Sequence, residues 1–200
     1  MPVRTLILAS GSPARLKLLR DAGIDPVVMV SGVDEDDVDE ADTSGSAGRL
    51  AKQKAEAVAR PDGSDLVLGC DSMLEFDGRP LGKPGSIEEA RSWLTSMRGQ
   101  TGTLFTGHCI IDETSGARAT ATVGTTVRFA VTTDAELDAY LSTPDSLAVA
   151  GAFTLDGRSA PFVDGIVGDY GNVIGLSLPT LRTLLAQLDV GITDLWRDAA

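Results

Sequence analysis

The sequence predicts a single domain, residues 1–200, of the α/β or α+β class. Three observations lead to this prediction. The 200 residues are 42% hydrophobic, which is enough to bury a core without disulfides or a structural metal. Strand and helix patterns alternate along the chain. No repeat, low-complexity tract or long linker divides it.

The first half of the chain is predicted from short apolar runs, which indicate strands, and amphipathic stretches, which indicate helices. The hairpin turn Asp77-Gly78 is the strongest local signal. In order, the elements are a strand at Thr5–Ala9, a helix at Pro13–Ala22, a strand at Pro26–Ser31, a helix at Ala47–Arg60, a strand at Leu66–Cys70, and hairpin strands at Met73–Phe76 and Arg79–Leu81.

Helix caps and turns predict the second half. In order, we expect a helix capped by Ser86 and Glu89 that ends near Met97, a long hairpin of Thr103–Asp112 and Ala119–Val131 around Ser115-Gly116, a helix capped by Thr133 and Glu136, two short strands around Asp156-Gly157, and a final helix from Pro179.

Charge and composition narrow the classes of function. A formal net charge of −12 opposes binding to nucleic acid or anionic membrane surfaces. No apolar run reaches membrane-spanning length, and the amino-terminal run breaks at Ser10, which suits a strand better than a signal peptide. Cys70 and Cys109 are too few for a disulfide framework or a zinc cage. We therefore expect a cytoplasmic protein with no nucleic-acid or membrane partner.

The turn from the first strand into the first helix is a candidate phosphate site. Pro13 suits the first helical position and Ser12 the cap before it. The free N–H groups at that helix end and the cation of Arg15 would together suit a phosphate. The alternative is an ordinary strand–turn–helix with a surface arginine.

Lys54 is predicted to face the protein interior. On a helical wheel it falls between Leu50 and Val58 in the apolar stripe, whereas Lys52 and Glu56 fall on the polar side. A lysine there either extends its ammonium to water or pairs with an anion, and a nearby anionic ligand is a candidate for that anion.

An acidic run, residues 34–40, follows the second strand. Most of its side chains are expected to be solvated. Asp34 and Glu35 lie nearest the strand and could share a magnesium ion with a substrate phosphate, since magnesium takes one or two protein carboxylates.

Asp71 and Lys83 form the remaining candidate constellation. Asp71 ends an apolar run and suits a general base or a metal ligand, while Lys83 follows the hairpin and suits a phosphate clamp. A structural ion pair between them is the alternative. His108, the only histidine, lies within a predicted strand and is expected to be structural. Walker-A and Gly-x-Gly-x-x-Gly motifs are absent.

Ordered blocks along Leu6 to about Leu185 resemble the Maf family of nucleoside triphosphate pyrophosphatases. The matching blocks are Leu8-Ala-Ser-Gly-Ser-Pro-Ala-Arg15, Asp34-Glu35, Lys54-Ala55, Gly69-Cys-Asp-Ser72, Gly82-Lys-Pro84, Gly151-Ala-Phe-Thr-Leu-Asp-Gly157 and Gly168-Asp-Tyr-Gly-Asn-Val-Ile-Gly-Leu176.

The resemblance implies a fold and a reaction. The fold would be an elongated mixed sheet with helices around it and a cleft between two lobes, similar to inosine triphosphate pyrophosphatases. The reaction would be hydrolysis of a nucleoside triphosphate between its α and β phosphates, with Mg²⁺ or Mn²⁺ as cofactor. Assembly as a homodimer would be compatible with the family.

The same resemblance implies roles for individual residues. Asp71 would accept the proton of water and Glu35 would assist the metal. The triphosphate would be held by Ser12, Arg15, Lys54 and Lys83.

Three departures from the family pattern bear on the choice of base. Ala14, Ser72 and Asp156 stand where members that prefer dTTP and UTP have arginine, threonine and glutamine. An aspartate cannot supply the donors of an amide, so base recognition should differ. Gly102 also stands where many relatives have a histidine.

The sequence thus predicts an enzyme that removes noncanonical or surplus nucleotides. A nucleotide-binding regulator of septum formation with little catalysis is the alternative, and a phosphosugar or nucleotidyl transferase is a third.

Overall fold

The computed structural model describes residues 4–34 and 41–197. Within them, a seven-stranded sheet is flanked by helices. The strands are β1 (Leu6–Leu8), β2 (Val27–Val28), β3 (Leu66–Phe76), β4 (Arg79–Leu81), β5 (Thr101–Asp112), β6 (Arg118–Phe129) and β7 (Val163–Val167). The helices are α1 (Pro13–Asp21), α2 (Thr43–Val58), α3 (Ile87–Met97), α4 (Asp134–Leu141), α5 (Tyr170–Ile174) and α6 (Leu178–Gln187).

The sheet is mixed. Its strand order is β2-β1-β3-β5-β6-β7, and β4 pairs with β3 outside that path. The β1 strand is parallel to both β2 and β3, whereas the β3, β5, β6 and β7 pairings are antiparallel. The predicted α/β class with a mixed sheet flanked by helices is confirmed.

One edge of β3 is interrupted at its centre. Along its other edge, β3 pairs with β5 continuously from Leu66 to Glu75. On the interrupted edge it pairs with β1 over Leu66–Leu68 and with β4 over Leu74–Phe76. Asp71 lies between these two stretches, so its part of the strand opens to a space that neither neighbour fills.

Helix α2 packs very closely on β3 and β5. A Cβ atom on Gly69 would overlap the carbonyl oxygen of Ala51, and one on Gly107 would overlap that of Ala47. Gly107 lies directly opposite Asp71 in the β3–β5 register. The two glycines therefore let α2 bring its side chains up to the centre of β3.

The buried apolar residues form separate clusters along β3. Leu66, Leu68 and Cys70 belong to a cluster with residues of α1 and α6, while Leu74 belongs to another with residues of α3 and α4. The two-lobed shape stays a prediction. None of the helices within the described ranges is both long and apolar enough to cross a membrane.

The predicted strand end at Cys70 is wrong. β3 continues through Asp71 and Ser72 to Phe76 as one strand of 11 residues. An isolated carboxylate would be costly in a buried strand, but Lys54 pairs with Asp71 there.

Other elements also differ from prediction: β2 spans Val27–Val28 rather than Pro26–Ser31, and the sequence analysis predicts neither β7 nor α5. Helix α2 begins at Thr43 rather than Ala47, because Asp42 caps it by accepting a hydrogen bond from the Gly45 amide at 2.7 Å. The strands predicted around Asp156-Gly157 are absent among the described residues. Instead, the Ser159 hydroxyl accepts from the amide of Thr154 and donates to its carbonyl, closing a compact loop.

Candidate active site

A cleft with a volume of about 960 Å³ opens at the interrupted edge of β3. Eight residues that the sequence singled out line it together: Ser12, Ala14, Arg15, Lys54, Asp71, Ser72, Lys83 and Asp156. Of the two acidic candidates that follow the second strand, Asp34 is not part of the described lining, and Glu35 lies outside the described residues. The residues that the sequence analysis selected thus lie together in one cleft, while the role of each stays a prediction.

Asp71 and Lys54 form a buried ion pair at the floor of the cleft. Lys54 Nζ lies 2.5 Å from Asp71 Oδ1, and each side chain is 7% exposed. Lys54 lies on the buried face of α2, as the helical wheel predicts, while Lys52 and Glu56 are exposed. The ammonium is therefore paired inside the protein rather than extended into bulk water.

Arg15 is held by three protein groups at the start of α1. Its Nε donates to the carbonyl oxygen of Gly175 at 2.8 Å. Its Nη1 donates to Ser10 Oγ and its Nη2 to Ser72 Oγ, both at 3.0 Å. Only 8% of the residue is exposed. A guanidinium has five N–H donors, so two are left after these three bonds for a ligand in the cleft.

The amino-terminal end of α1 faces the same cleft. Ser12 caps the helix through a hydrogen bond from the Arg15 amide at 3.4 Å, and Pro13 occupies the first helical position, as predicted. Ser12, Pro13 and Ala14 all line the cleft. The partial positive charge of a helix amino terminus favours an anion there.

The described charged lining is mainly cationic. It consists of four cations, Arg15, Lys17, Lys54 and Lys83, and two acids, Asp71 and Asp156. The whole chain carries a formal net charge of −12. The cleft therefore reverses the charge of the protein locally, which suits a polyanionic ligand.

Sequence reasoning missed several cleft residues. Lys17 lies one turn beyond Pro13 on α1, and its spacing from that residue could have indicated it. The apolar part of the wall comes from several segments. It includes Val30, Val33, Met73, Leu104, Val149 and Phe153, of which only Phe153 lies in a block that resembles the family.

His108 and the two cysteines are not part of the cleft lining. Burial, with a smaller contribution from Arg15, lowers the pKa of His108 to about 4, and its Nε2 accepts a hydrogen bond from the Ser177 amide at 3.0 Å. Burial raises the pKa of Cys70 to about 12 and that of Cys109 to about 11. These groups are neutral at pH 7, so the structure provides no cysteine–histidine nucleophile.

Comparison with known proteins gives consistent matches. The model of the family described as Maf-like protein matches residues 5–188. A protein of Streptomyces coelicolor named nucleoside triphosphate pyrophosphatase is 57% identical over 99% of this chain and 97% of its own length. Proteins of the same name from Salinispora tropica and Nocardia farcinica are 51% and 50% identical, each over 98% of this chain, with 88% and 98% of their own lengths covered.

Proposed function

This chain belongs to the Maf-like protein family, and we propose on that premise that it is a nucleoside triphosphate pyrophosphatase, a hydrolase that acts on acid anhydrides. Its products would be the nucleoside monophosphate and pyrophosphate. The observation that carries the proposal is the buried Lys54–Asp71 pair inside a cleft whose described charges are mainly positive.

The phosphate chain would lie against the cationic side chains. Arg15 has two N–H donors left for phosphate oxygens, and Lys83 lines the same cleft beyond the β3–β4 hairpin. Ser12 and the start of α1 add a hydroxyl and a helix amino terminus. Such groups stabilise the negative charge that shifts to the leaving pyrophosphate in the transition state.

Asp71 would act as the general base. In this scheme a water oxygen forms a bond to the α phosphorus, the bond from that phosphorus to the bridging oxygen breaks, and pyrophosphate leaves with its electron pair. The proton of the water passes to the Asp71 carboxylate. Lys54 would hold that carboxylate in place and compensate its charge at the floor of the cleft.

The cleft also suits a divalent cation, Mg²⁺ or Mn²⁺. No group of three or more histidine, cysteine or acidic side chains converges on a metal position within the described ranges. Magnesium needs no such group, since it typically uses one or two carboxylates together with water and substrate phosphates. We infer that Glu35 would supply a carboxylate for the cation, while Asp71 serves as the general base. When bound, the cation would neutralise charge on the phosphate oxygens.

The choice of base would depend on the positions where the sequence departs from its relatives. Ala14, Ser72 and Asp156 line the cleft. Asp156 Oδ1 accepts a hydrogen bond from the Thr154 hydroxyl, which fixes a carboxylate at the cleft mouth. A carboxylate accepts hydrogen bonds only, so it would favour a nucleotide with a donor on that side.

The partner in this proposal is the nucleoside triphosphate itself, drawn from noncanonical or surplus members of the pool. The net charge of −12 supports the absence of a nucleic-acid or membrane partner. A homodimer and a cytoplasmic location remain predictions from the sequence.

The proposal is tested by identifying products. The protein is incubated with a panel of nucleoside triphosphates and Mg²⁺ or Mn²⁺, and pyrophosphate and monophosphate are expected in equal amounts. Release of orthophosphate alone would contradict cleavage between the α and β phosphates. Tight nucleotide binding without any turnover would instead favour the alternative function, a nucleotide-binding regulator of septum formation.

The role of Asp71 is tested with a matched pair of variants. Asp71→Asn should lower turnover by about 10²- to 10⁴-fold, the usual contribution of a general base. Asp77→Asn makes the same change at the exposed hairpin turn, where asparagine tolerates the positive φ of 50°, and should keep wild-type activity. Wild-type turnover by Asp71→Asn would show that another group is the base.

A further inference from the structure

We propose that Thr106 is a positioning residue that makes the Ser72 hydroxyl a hydrogen-bond acceptor toward the nucleoside part of the substrate. This inference rests on the proposed function and deepens it. It assigns a chemical class to the group that Ser72 recognises: a hydrogen-bond donor, either an N–H of the base or an O–H of the sugar.

Ser72 and Thr106 face each other across two strands. They are direct partners in the register of β3 and β5, and their hydroxyl oxygens are 2.9 Å apart. Thr106 is completely buried, while Ser72 is partly exposed and lines the cleft. Thr106 is not part of the described cleft lining, and its hydroxyl is in contact with that of Ser72, which is.

The direction of the bond between them follows from the next contact. Thr106 Oγ1 lies 2.8 Å from the carbonyl oxygen of Asn172. A carbonyl oxygen only accepts, and a hydroxyl has one proton. Thr106 therefore gives its proton to Asn172, and Ser72 must be the donor in the bond between the two hydroxyls.

Asn172, which accepts the last hydrogen bond in the series from Ser72 through Thr106, is held firmly in place. Asn172 is completely buried. Its Nδ2 donates to the carbonyl oxygens of Leu104 and Val123, both at 3.1 Å. The carbonyl group that accepts from Thr106 is thus fixed against β5 and β6. The donor and acceptor roles along this series of hydrogen bonds are fixed with it.

Arg15 occupies one of the two lone pairs of Ser72. Its Nη2 lies 3.0 Å from Ser72 Oγ, and a guanidinium can only donate. The proton of Ser72 is committed to Thr106. In the described part of the chain no other hydrogen bond involves this hydroxyl. It therefore presents one lone pair, and no proton, to the cleft.

Ser10, on the other side of Arg15, has the opposite polarity. Its Oγ accepts from Arg15 Nη1 at 3.0 Å and from the Ser12 amide at 3.2 Å, which uses both lone pairs and leaves its proton to donate. A donor suits phosphate oxygens, which only accept when deprotonated. A bare lone pair would repel them, so the ligand of Ser72 is on the nucleoside rather than on the triphosphate.

The test compares nucleotides that differ by a single donor. GTP carries an amino group that ITP lacks, ATP carries one that purine riboside triphosphate lacks, and UTP carries a ring N–H that N3-methyl-UTP lacks, so these pairs test the base. Ribonucleotides and their 2′-deoxy and 3′-deoxy forms test the sugar. In one of these pairs we expect the wild-type kcat/KM to favour the donor-bearing member about tenfold, the size of one hydrogen bond.

Variants separate the positioning role from simple packing. Thr106→Val keeps the shape but removes the hydroxyl, which frees the Ser72 proton to turn into the cleft, and should reduce the preference to less than about twofold. Thr106→Ser keeps a hydroxyl at this position, and with it the series of hydrogen bonds, so it should retain the preference. Ser72→Ala, which leaves the buried threonine untouched, should abolish it.

A double-mutant cycle checks that the effect passes through Ser72. Adding Thr106→Val to Ser72→Ala should cause no further change in the preference. The inference is overturned if the wild type shows no preference in any pair, if Thr106→Val keeps the wild-type preference, or if the two effects are additive. Thermal unfolding of every variant identifies loss of fold.

The inference and the proposed function can fail separately. The same ratios are measured as dissociation constants, by calorimetry with α,β-methylene analogues that resist cleavage. An enzyme that binds these with the expected preference but releases no pyrophosphate would contradict the proposed hydrolysis only. One that hydrolyses without the preference would contradict only the role of Thr106.

Discussion

Lys54 Nζ and Asp71 Oδ1 are 2.5 Å apart in the interior, on a helix and a strand that glycines allow to touch. Both groups are almost completely buried. Taking two such charges out of water costs several kcal/mol each, and their attraction compensates this cost only while both are present. The pair is therefore better explained by chemistry in the cleft than by stability.

Removing one partner of the Lys54–Asp71 pair should destabilise the fold more than removing both. Lys54→Met or Asp71→Leu alone should lower the free energy of unfolding by about 3–5 kcal/mol, because the remaining buried charge loses this ion pair. The double variant should recover most of that loss while remaining inactive. Urea unfolding at pH 7 measures all three. A double variant as unstable as the sum of the single ones would show that the pair is not coupled.

The pair also explains what the sequence could and could not predict. The apolar stripe of α2 placed Lys54 inside correctly, because helix periodicity is local. The sequence predicts the end of this strand at Cys70, which is wrong, because a charged residue normally ends a buried strand. Only the fold shows that the charge of Asp71 is compensated by a lysine from another element.

The close approach of α2 should depend on Gly107. Gly107→Ala would place a Cβ on β5 against the Ala47 carbonyl, so α2 must move away from β5 and from its neighbour β3. We expect a loss of about 1–3 kcal/mol in the free energy of unfolding, typical of overpacking, and a fall in kcat as Lys54 is displaced from Asp71.

The matched control is Gly85→Ala, where the nearest atom to the new Cβ would be Glu89 Oε2 at 3.5 Å, an ordinary contact. Stability and kcat should then stay near wild type. Equal effects of the two substitutions would indicate a general loss of backbone freedom rather than a clash with α2.

His108 should make stability depend on pH. Its pKa in the folded state is about 4, mainly because of burial, whereas it is about 6.5 in an unfolded chain. The unfolded state therefore takes up a proton first as the pH falls. The contribution of His108 is complete above pH 6.5 and is lost between pH 6.5 and 4, with about 2 kcal/mol lost from pH 7 to pH 5.

His108→Gln tests this, because glutamine can still accept from the Ser177 amide but does not titrate. The difference in unfolding free energy between wild type and variant, measured in urea at pH 7 and at pH 5, isolates the histidine from the carboxylates. A difference that is the same at both pH values would mean that His108 titrates normally in the folded protein.

The distant parts of the cleft show why a site is harder to predict than its central motifs. Ser12, Arg15, Asp71 and Lys83 lie in short segments whose local chemistry is recognisable. Val149, Phe153 and Asn172 come from late segments, and Asn172 is joined by hydrogen bonds to residues of β5 far away in sequence. Such contacts depend on how loops pack on the sheet, which no local pattern encodes.

Asp156 should weaken the binding of triphosphates in general. Its carboxylate lies at the cleft mouth, oriented by Thr154, and repels a polyanion. Asp156→Asn keeps an oxygen that can accept from Thr154 but removes the charge, so KM should fall about two- to fivefold with little change in kcat, the size of one exposed charge interaction. The gain should shrink as salt is added, because exposed charges are screened. The control is Asp164→Asn, which removes one negative charge at an exposed residue of β7 outside the cleft lining. This variant should keep KM near wild type. An equal fall in KM in both variants would show that net charge alone causes the effect.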